Sequence, residues 1–250
     1  MKTDIEIKQQ EHYNQIAAEY ELHYDGKYSQ IYRDKFMNSF LFKGMDLKGK
    51  RVIEAMCGSG QTTGYLLSKG AIVLGNDISD KAIDRYKEKW PHCETVCSSI
   101  LDTGLESESF DCAVIVGGLH HLHPKVNEAM DEIHRILKKG GYLCFHEPHS
   151  GSLPDKFRSM WYKRDKYFEE NEESVDFEKL KRENAGKFNF VSEKYGGSIA
   201  YLLVLQSLIF RIPIPVKNVI SPALIFMESL LDRFLGKSMS CFVMAQWQKK

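Results

Sequence analysis

The sequence predicts an α/β protein built on a doubly wound, mostly parallel sheet. Three observations carry that expectation. Residues 51–63, Arg-Val-Ile-Glu-Ala-Met-Cys-Gly-Ser-Gly-Gln-Thr-Thr, pass from a short apolar run through an acid and a loop with two glycines into a helix-like segment. Strand, glycine turn, helix is the order in which α/β folds hold nucleotide-like ligands. Downstream, apolar runs alternate with helical patterns at the spacing of βαβ units. The first of those runs reads as a strand covered on both faces, as in parallel sheets.

The elements follow in order. Residues 1–45 are rich in aromatics, and Tyr13, Ile16, Ala17 and Tyr20 fall at helical spacing. A second helix is expected over 29–42 with Ile31, Phe36 and Phe40 turned inward. These two helices either pack on a sheet edge or form a cap that closes over a ligand. A strand over 52–55 leads through the glycine loop to a helix over 61–68, which Gly70 stops. A strand over 71–76 ends at Asp77, and Ser79 caps a helix whose Ile83 and Tyr86 share a face. Short strands follow over 94–97 and 110–116, the latter bounded by Gly117 and Gly118. Val126, Met130, Ile133 and Leu137 mark an amphipathic helix, which Lys138, Lys139, Gly140 and Gly141 are expected to end. A fifth strand covers 142–148.

After Pro148 the texture changes. Residues 151–187 are charged and aromatic, and a sixth strand is expected over 188–194. Residues 199–210 are nearly all apolar, and Pro213, Pro215 and Pro222 are expected to separate them from a second apolar helix over 223–234. A closing strand covers 240–247. The chain thus divides into an N-terminal helical cap (1–45), a ligand-binding core (46–150), and helical insertions that cap the substrate, with the last two strands, in 151–250. The ligand should lie at the carboxyl ends of the strands.

Lysine plus arginine equals aspartate plus glutamate at 34 each, so nothing in the charge points to nucleic acid as a partner. The six cysteines are scattered through apolar runs, which reads as free thiols in a reducing compartment. Cys93 and Cys97 have a poor zinc spacing and no second pair, so no metal site is expected. Residues 1–6 are charged and do not resemble a signal peptide, and a cytoplasmic protein is expected. Residues 199–216 are shorter than the roughly 20 apolar residues of a membrane span and contain Arg211 and two prolines. A buried helix is the first reading there. A pocket wall, a homodimer face or a peripheral membrane contact are the others.

The segment from Glu54 to Gly60 resembles motif I of the class I S-adenosylmethionine (SAM) dependent methyltransferases, in which an acid ends strand one and a G-x-G-x-G loop follows. Met56 stands where the first glycine is expected, and Gly58 and Gly60 are kept. Residues 75–83 are similar to the family's second motif, 107–122 to its fourth-strand motif, and 133–143 to its helix-turn-strand five. The likeness covers about 46–148 and is greatest to the small-molecule branch that includes ubiquinone and menaquinone methyltransferases. It implies a Rossmann-like seven-stranded sheet and SAM as cofactor. It also implies that Glu54 and the backbone of Ala55, Gly58, Ser59 and Gly60 hold the methionine part. Asp77 would hold the ribose, with Ile78 against the adenine and Ser99 and Ile100 at its edge, although an aspartate is common in the family where Ser99 stands. Gly117 and Gly118 would line the floor near the sulfonium, and Tyr13 and Tyr20 match an aromatic cap.

Methyl transfer is an in-line displacement, so the protein positions the acceptor and, for a hydroxyl, removes its proton. Histidine suits that task near neutral pH. His121 and His149 are the preferred bases, with Glu147 as an alternative or an orienter. The apolar 199–234 region suggests a small hydrophobic or lipid-linked acceptor, methylated at oxygen. C- or N-methylation, a nicotinamide-dependent oxidoreductase and a non-catalytic methyltransferase-like binding subunit are the alternatives, the last because of Met56.

Overall fold

The computed structural model describes residues 23–156 and 174–250; Tyr13 and Tyr20 lie outside the described residues. The chain enters through α1 (Lys27–Tyr32), which runs on through a π-helical stretch (Arg33–Asn38) into α2 (Ser39–Leu41). Its buried face runs through Ser29, Tyr32, Arg33, Phe36 and Met37, in the three- and four-residue steps of a helix. Ile31, expected on that face, falls off these steps and is exposed.

The strands are β1 (Arg51–Ala55), β2 (Ile72–Asp77), β3 (Glu94–Cys97), β4 (Phe110–Val116), β5 (Leu137–Pro148), β6 (Phe188–Gly196) and β7 (Phe242–Lys249). They form one seven-stranded sheet in the order β3-β2-β1-β4-β5-β7-β6. The first five are parallel, and β7 lies antiparallel between β5 and β6. This is the Rossmann-like α/β sheet that the alternating pattern predicts. The connecting helices are α3 (Thr63–Ser68), α4 (Asp80–Lys89), α5 (Val126–Ile136), α6 (Phe177–Asn184) and α7 (Ile214–Leu231). The strand order reverses between β1 and β4, and a crevice opens outside the carboxyl ends of the strands at such a switch point.

Alternate residues of each strand serve opposite cores. Ile53, Ala113, Ile115, Phe145 and Trp247 pack with the apolar stripe of α5. Val52, Val114, Cys144 and Met244 pack with Tyr32, Phe36, Met37 and Leu41.

Three expectations need correction. Lys138–Gly141 do not end a helix: α5 stops at Ile136, and β5 starts at Leu137 with a register shift against β4 between Phe110 and Cys112. The two glycines suit that irregularity, because Gly140 has φ +74° and a Cβ on Gly141 would lie 2.8 Å from the Lys138 carbonyl oxygen. The 199–210 run is not a regular α-helix but a π-helical turn (Tyr201–Leu205) followed by turns. Gln206 and Ser207, its polar residues, are engaged by Tyr24 (Oη to Oε1, 2.5 Å) and His23 (Nδ1 to Oγ, 3.0 Å). Pro222 does not break the last helix. It sits inside α7, where the carbonyl it deprives of a partner belongs to exposed Asn218 and can turn to water. The resulting helix of 18 residues is long and apolar enough to cross a membrane. Only Lys217, Ser221, Ile225 and Glu228 of it are buried, whereas the burial expected of 199–216 falls on Ala200, Tyr201, Val204, Leu205 and Leu208.

Trp247 is fully buried among Phe145, Phe177, Phe188 and Phe190, with centroids 4.7 to 6.0 Å away. Trp247→Ala should destabilise the protein by about 3–5 kcal/mol in urea unfolding, the cost of emptying a large core site. The indole N–H is buried without a partner, so Trp247→Phe should cost under about 1.5 kcal/mol.

Candidate cofactor site

The glycine loop turns through positive φ at Met56 (54°), Gly58 (53°) and Gly60 (80°). Met56 therefore adopts the left-handed conformation in which a first glycine would be unstrained, at a cost of about 1–2 kcal/mol. Its side chain occupies space that Gly118 leaves free: a Cβ on Gly118 would lie 2.7 Å from Met56 Sδ. Gly60 is required for a different reason. A Cβ there would sit 2.5 Å from Trp90 Nε1, which donates to the carbonyls of Ser59 (3.1 Å) and Gly60 (3.2 Å). The loop is held from the N-terminal side as well. Ser59 Oγ donates to Asp25 (3.0 Å), which also accepts from Lys89 (2.7 Å), and the Arg33 guanidinium donates to Gln61 Oε1 (2.5 Å).

Two acids anchor this loop. Glu54, at the end of β1, accepts from Thr62 N (2.8 Å) and from the Thr63 hydroxyl. Asp77, at the end of β2, accepts from Gly58 N through Oδ2 (2.9 Å) and from Ser79 N through Oδ1 (2.9 Å). Ser79 caps α4 by accepting from Ala82 N at 3.1 Å. Ser99 Oγ turns back to accept from Leu101 N at 3.1 Å, and Ile100 is buried.

Glu54, Ala55, Gly58, Ser59, Asp77, Ile78, Ser99, Ile100, Gly117, Gly118 and His121 all line one cleft at the carboxyl ends of β1, β2 and β4. Gly60 stands just outside its wall. One further wall residue, Asn76, has a buried polar atom with no hydrogen-bond partner, Oδ1. A nucleoside-bearing, zwitterionic ligand fits such a wall. The Asp77 carboxylate, held by the Gly58 and Ser79 amides, lies in the wall as an acceptor for a sugar hydroxyl. Among the described residues, no group of three or more His, Cys, Asp or Glu side chains is arranged to hold a metal ion.

The histidines separate into different roles. His121, on a 3₁₀ turn (Leu119–Leu122), reaches the cleft and stacks on His120 at 3.8 Å between centroids. Glu147 does not reach it. Fully buried, it accepts from the amides of Gly118 and Leu119 (2.8 Å each), His120 N (3.3 Å) and His120 Nδ1 (2.8 Å). Burial raises its pKa, and these donors use its oxygens. Glu147 is thus a brace that orients His120 and the turn after β4, not a base facing the cleft. His149 is also corrected: it is buried beside Tyr195, with Nε2 against the Lys237 carbonyl oxygen at 3.1 Å, and forms no part of the cleft wall. Its position past the β5 end sends it toward the 237–240 turn. Sequence reasoning missed Trp90, Arg33 and Gln61, whose roles come from long-range contacts that no local spacing encodes.

Burial raises the Glu54 carboxyl from 4.5 to about 7, against hydrogen bonds from Thr63 and Thr62 that lower it. Its folded value lies above the unfolded one, so its contribution to stability is full below pH 4.5 and lost as pH rises through 7. Above pH 7 the buried charge costs about 3 kcal/mol. Glu54→Gln keeps an acceptor for Thr62 N and carries no charge. Its stability relative to the unsubstituted protein should therefore climb between pH 4.5 and pH 8 in denaturant titrations of the ligand-free proteins. A difference that stays flat with pH would show that burial does not raise the Glu54 pKa.

Residues 53–145 match the family model described as "Methyltransferase domain". An uncharacterized methyltransferase of Synechocystis sp. is 33% identical over 105 residues, 42% of this chain and 50% of that protein. A fatty-acid O-methyltransferase of Mycolicibacterium smegmatis is 30% identical over 104 residues, 40% of this chain and 38% of that protein. The chain spans half or less of the length of these curated relatives. Among solved structures, a SAM-dependent methyltransferase of Thermotoga maritima, a possible histamine N-methyltransferase, aligns with a TM-score of 0.65 at 18% identity over 96% of this chain and 99% of that one. The N-methyltransferase NodS of Bradyrhizobium japonicum, in complex with S-adenosyl-L-homocysteine, aligns with a TM-score of 0.56 at 15% identity over 90% and 89%. The motif series, the fold and the family match converge: residues 53–145 are a class I SAM-dependent methyltransferase domain, and SAM is its cofactor.

Proposed function

We propose that the whole chain methylates a small hydrophobic acceptor at a hydroxyl oxygen, with His121 as the general base. One observation carries this reading. At the end of the cleft beyond the glycine loop the wall is apolar, formed by Met56, Val116 and Leu122, and His121 is the ionisable side chain among them. An apolar wall selects a greasy acceptor, and an imidazole beside it suits removal of a hydroxyl proton near neutral pH. The names of two relatives point the same way. One is the fatty-acid O-methyltransferase above; the other is a probable phthiotriol/phenolphthiotriol dimycocerosates methyltransferase of Mycobacterium ulcerans, 31% identical over 104 residues, 40% of each chain. The six cysteines are all free, which favours a reducing compartment such as the cytoplasm.

The cofactor supplies an activated methyl group on a sulfonium. The chain's own residues do the rest. Asp77 would accept from the ribose hydroxyls, and Glu54 holds the loop whose amides would face the methionine end. Glu147 fixes the 118–120 turn, and with it the backbone from which His121 projects. His121 takes the proton that the acceptor oxygen loses as its new bond to carbon forms. The apolar wall keeps water from competing for the methyl group.

Asp77→Ala should weaken SAM binding about 10- to 100-fold in isothermal titration, the worth of one or two hydrogen bonds to a charged group. NADH should not bind, and failure of SAM to bind would sink the reading. His121→Ala should lower kcat on a long-chain hydroxylated acceptor by about 10²–10⁴-fold while the Kd for SAM holds. Unchanged turnover in that variant would place the base elsewhere.

A further inference from the structure

Helix α7 is inside out. Its two ionisable residues, Lys217 and Glu228, are buried on the inner face with Ile225, and most of its large apolar residues face outward. Lys217 Nζ donates to Ser29 Oγ (2.7 Å) and to the His23 carbonyl oxygen. Glu228 accepts from Tyr32 Oη (2.8 Å), Ser198 N (2.8 Å), Ser198 Oγ (2.7 Å) and Ala200 N (2.8 Å). These polar bonds tie α7 to the domain, which leaves its apolar residues for another partner. Val219 is 79% exposed, Phe226 63% and Phe234, just past the helix, 86%. Leu230 and Leu231 continue the stripe. Scattered exposed hydrophobics are ordinary; a continuous stripe about 27 Å long is an interaction surface.

The charges around the stripe choose the partner. From residue 206 to 236 the exposed charged residues are Arg211, three residues before the helix, and Arg233, two residues after it. No exposed carboxylate interrupts this stretch; Asp232 is only partly exposed and paired with Lys194 at 2.6 Å. A second copy stacked in parallel on this face would bring Arg233 against Arg233, with no exposed carboxylate in residues 206–236 to answer the pair. A bilayer with anionic headgroups answers both features at once: hydrocarbon receives the stripe, and phosphate and acidic headgroups receive the flanking guanidiniums. Spanning is excluded by the anchoring of Lys217 and Glu228 on the domain.

We propose that α7 docks the protein on anionic phospholipid bilayers, lying along the surface with Val219, Phe226, Leu230 and Phe234 in the headgroup–acyl boundary. This inference stands on the surface alone and does not depend on which acceptor the cleft takes.

The test is sedimentation of the full chain with large unilamellar vesicles of phosphatidylcholine alone or with 30 mol% phosphatidylglycerol, a composition chosen to give about one anionic lipid in three. The protein should pellet with the anionic vesicles and less with the neutral ones, and added salt should reduce the bound fraction. Val219→Asp/Phe226→Asp should cut the bound fraction at least about tenfold with Tm unchanged, because both side chains are exposed. Val219→Ser/Phe226→Ser serves if the aspartates disturb folding. No pelleting, or pelleting that these variants leave intact, overturns the proposal. So does a dimer in analytical ultracentrifugation that the double variant dissociates while vesicles fail to bind, since the face then belongs to a second copy.

Discussion

Backbone amides at the carboxyl end of a parallel sheet must find acceptors where loops turn back over a ligand and water is scarce, and here carboxylates at the strand ends meet that demand. Glu54 takes the amide of Thr62, Asp77 those of Gly58 and Ser79, and Glu147 those of Gly118, Leu119 and His120. Each acid sits at the end of its own strand and fixes a loop that borders the cleft. The arrangement works because an unpaired buried amide is costly and a carboxylate can satisfy several at once. It also has a cost. Desolvation raises the pKa of Glu54 and of Glu147, so the same burial that makes them good braces disfavours their charge.

The departure at Met56 becomes intelligible within this frame. A loop pinned at Gly58 by Asp77 and at Thr62 by Glu54 cannot move aside for a side chain at position 56. The backbone accepts the left-handed conformation instead, and the side chain is housed by an absence elsewhere, the missing Cβ of Gly118. Gly118 in turn belongs to the turn that Glu147 holds. Strain in one loop is thus accommodated by a glycine in another, and the cleft stays open between them. That geometry removes the reason for suspecting that Met56 disables the site.

The sheet and most of the cleft were legible in the sequence because they rest on local signals. Apolar runs of strand length, glycines that need positive φ, Ser79 as a cap and Asp77 at a strand end each depend on a few neighbouring residues. What was not legible depends on distant parts of the chain. Glu147 and His149 stand at the end of the same strand as two candidate bases, and the sequence carries no record that one is consumed by amides from the 118–120 turn and the other by the 237 carbonyl. Trp90 and Arg33 reach the glycine loop from separate helices. Pro222 reads locally as a breaker, yet its helix is held from outside by Lys217 and Glu228, and tertiary anchoring outweighs one lost backbone bond.

Those two anchors also join the surface of the protein to its interior. Lys217 and Glu228 grip Ser29 and Tyr32 of α1, and Arg33, one residue further on, donates to Gln61 in the glycine loop. An apolar outer face therefore connects through two buried polar contacts and one guanidinium to the loop that borders the cofactor cleft. Polar bonds specify geometry more sharply than apolar contacts do, so putting them on the inner face fixes how α7 sits over α1. The outer face needs no such precision, because hydrocarbon is a non-directional partner. A helix with its polarity reversed is what these two demands produce together: directional contacts toward the site, non-directional ones toward its surroundings.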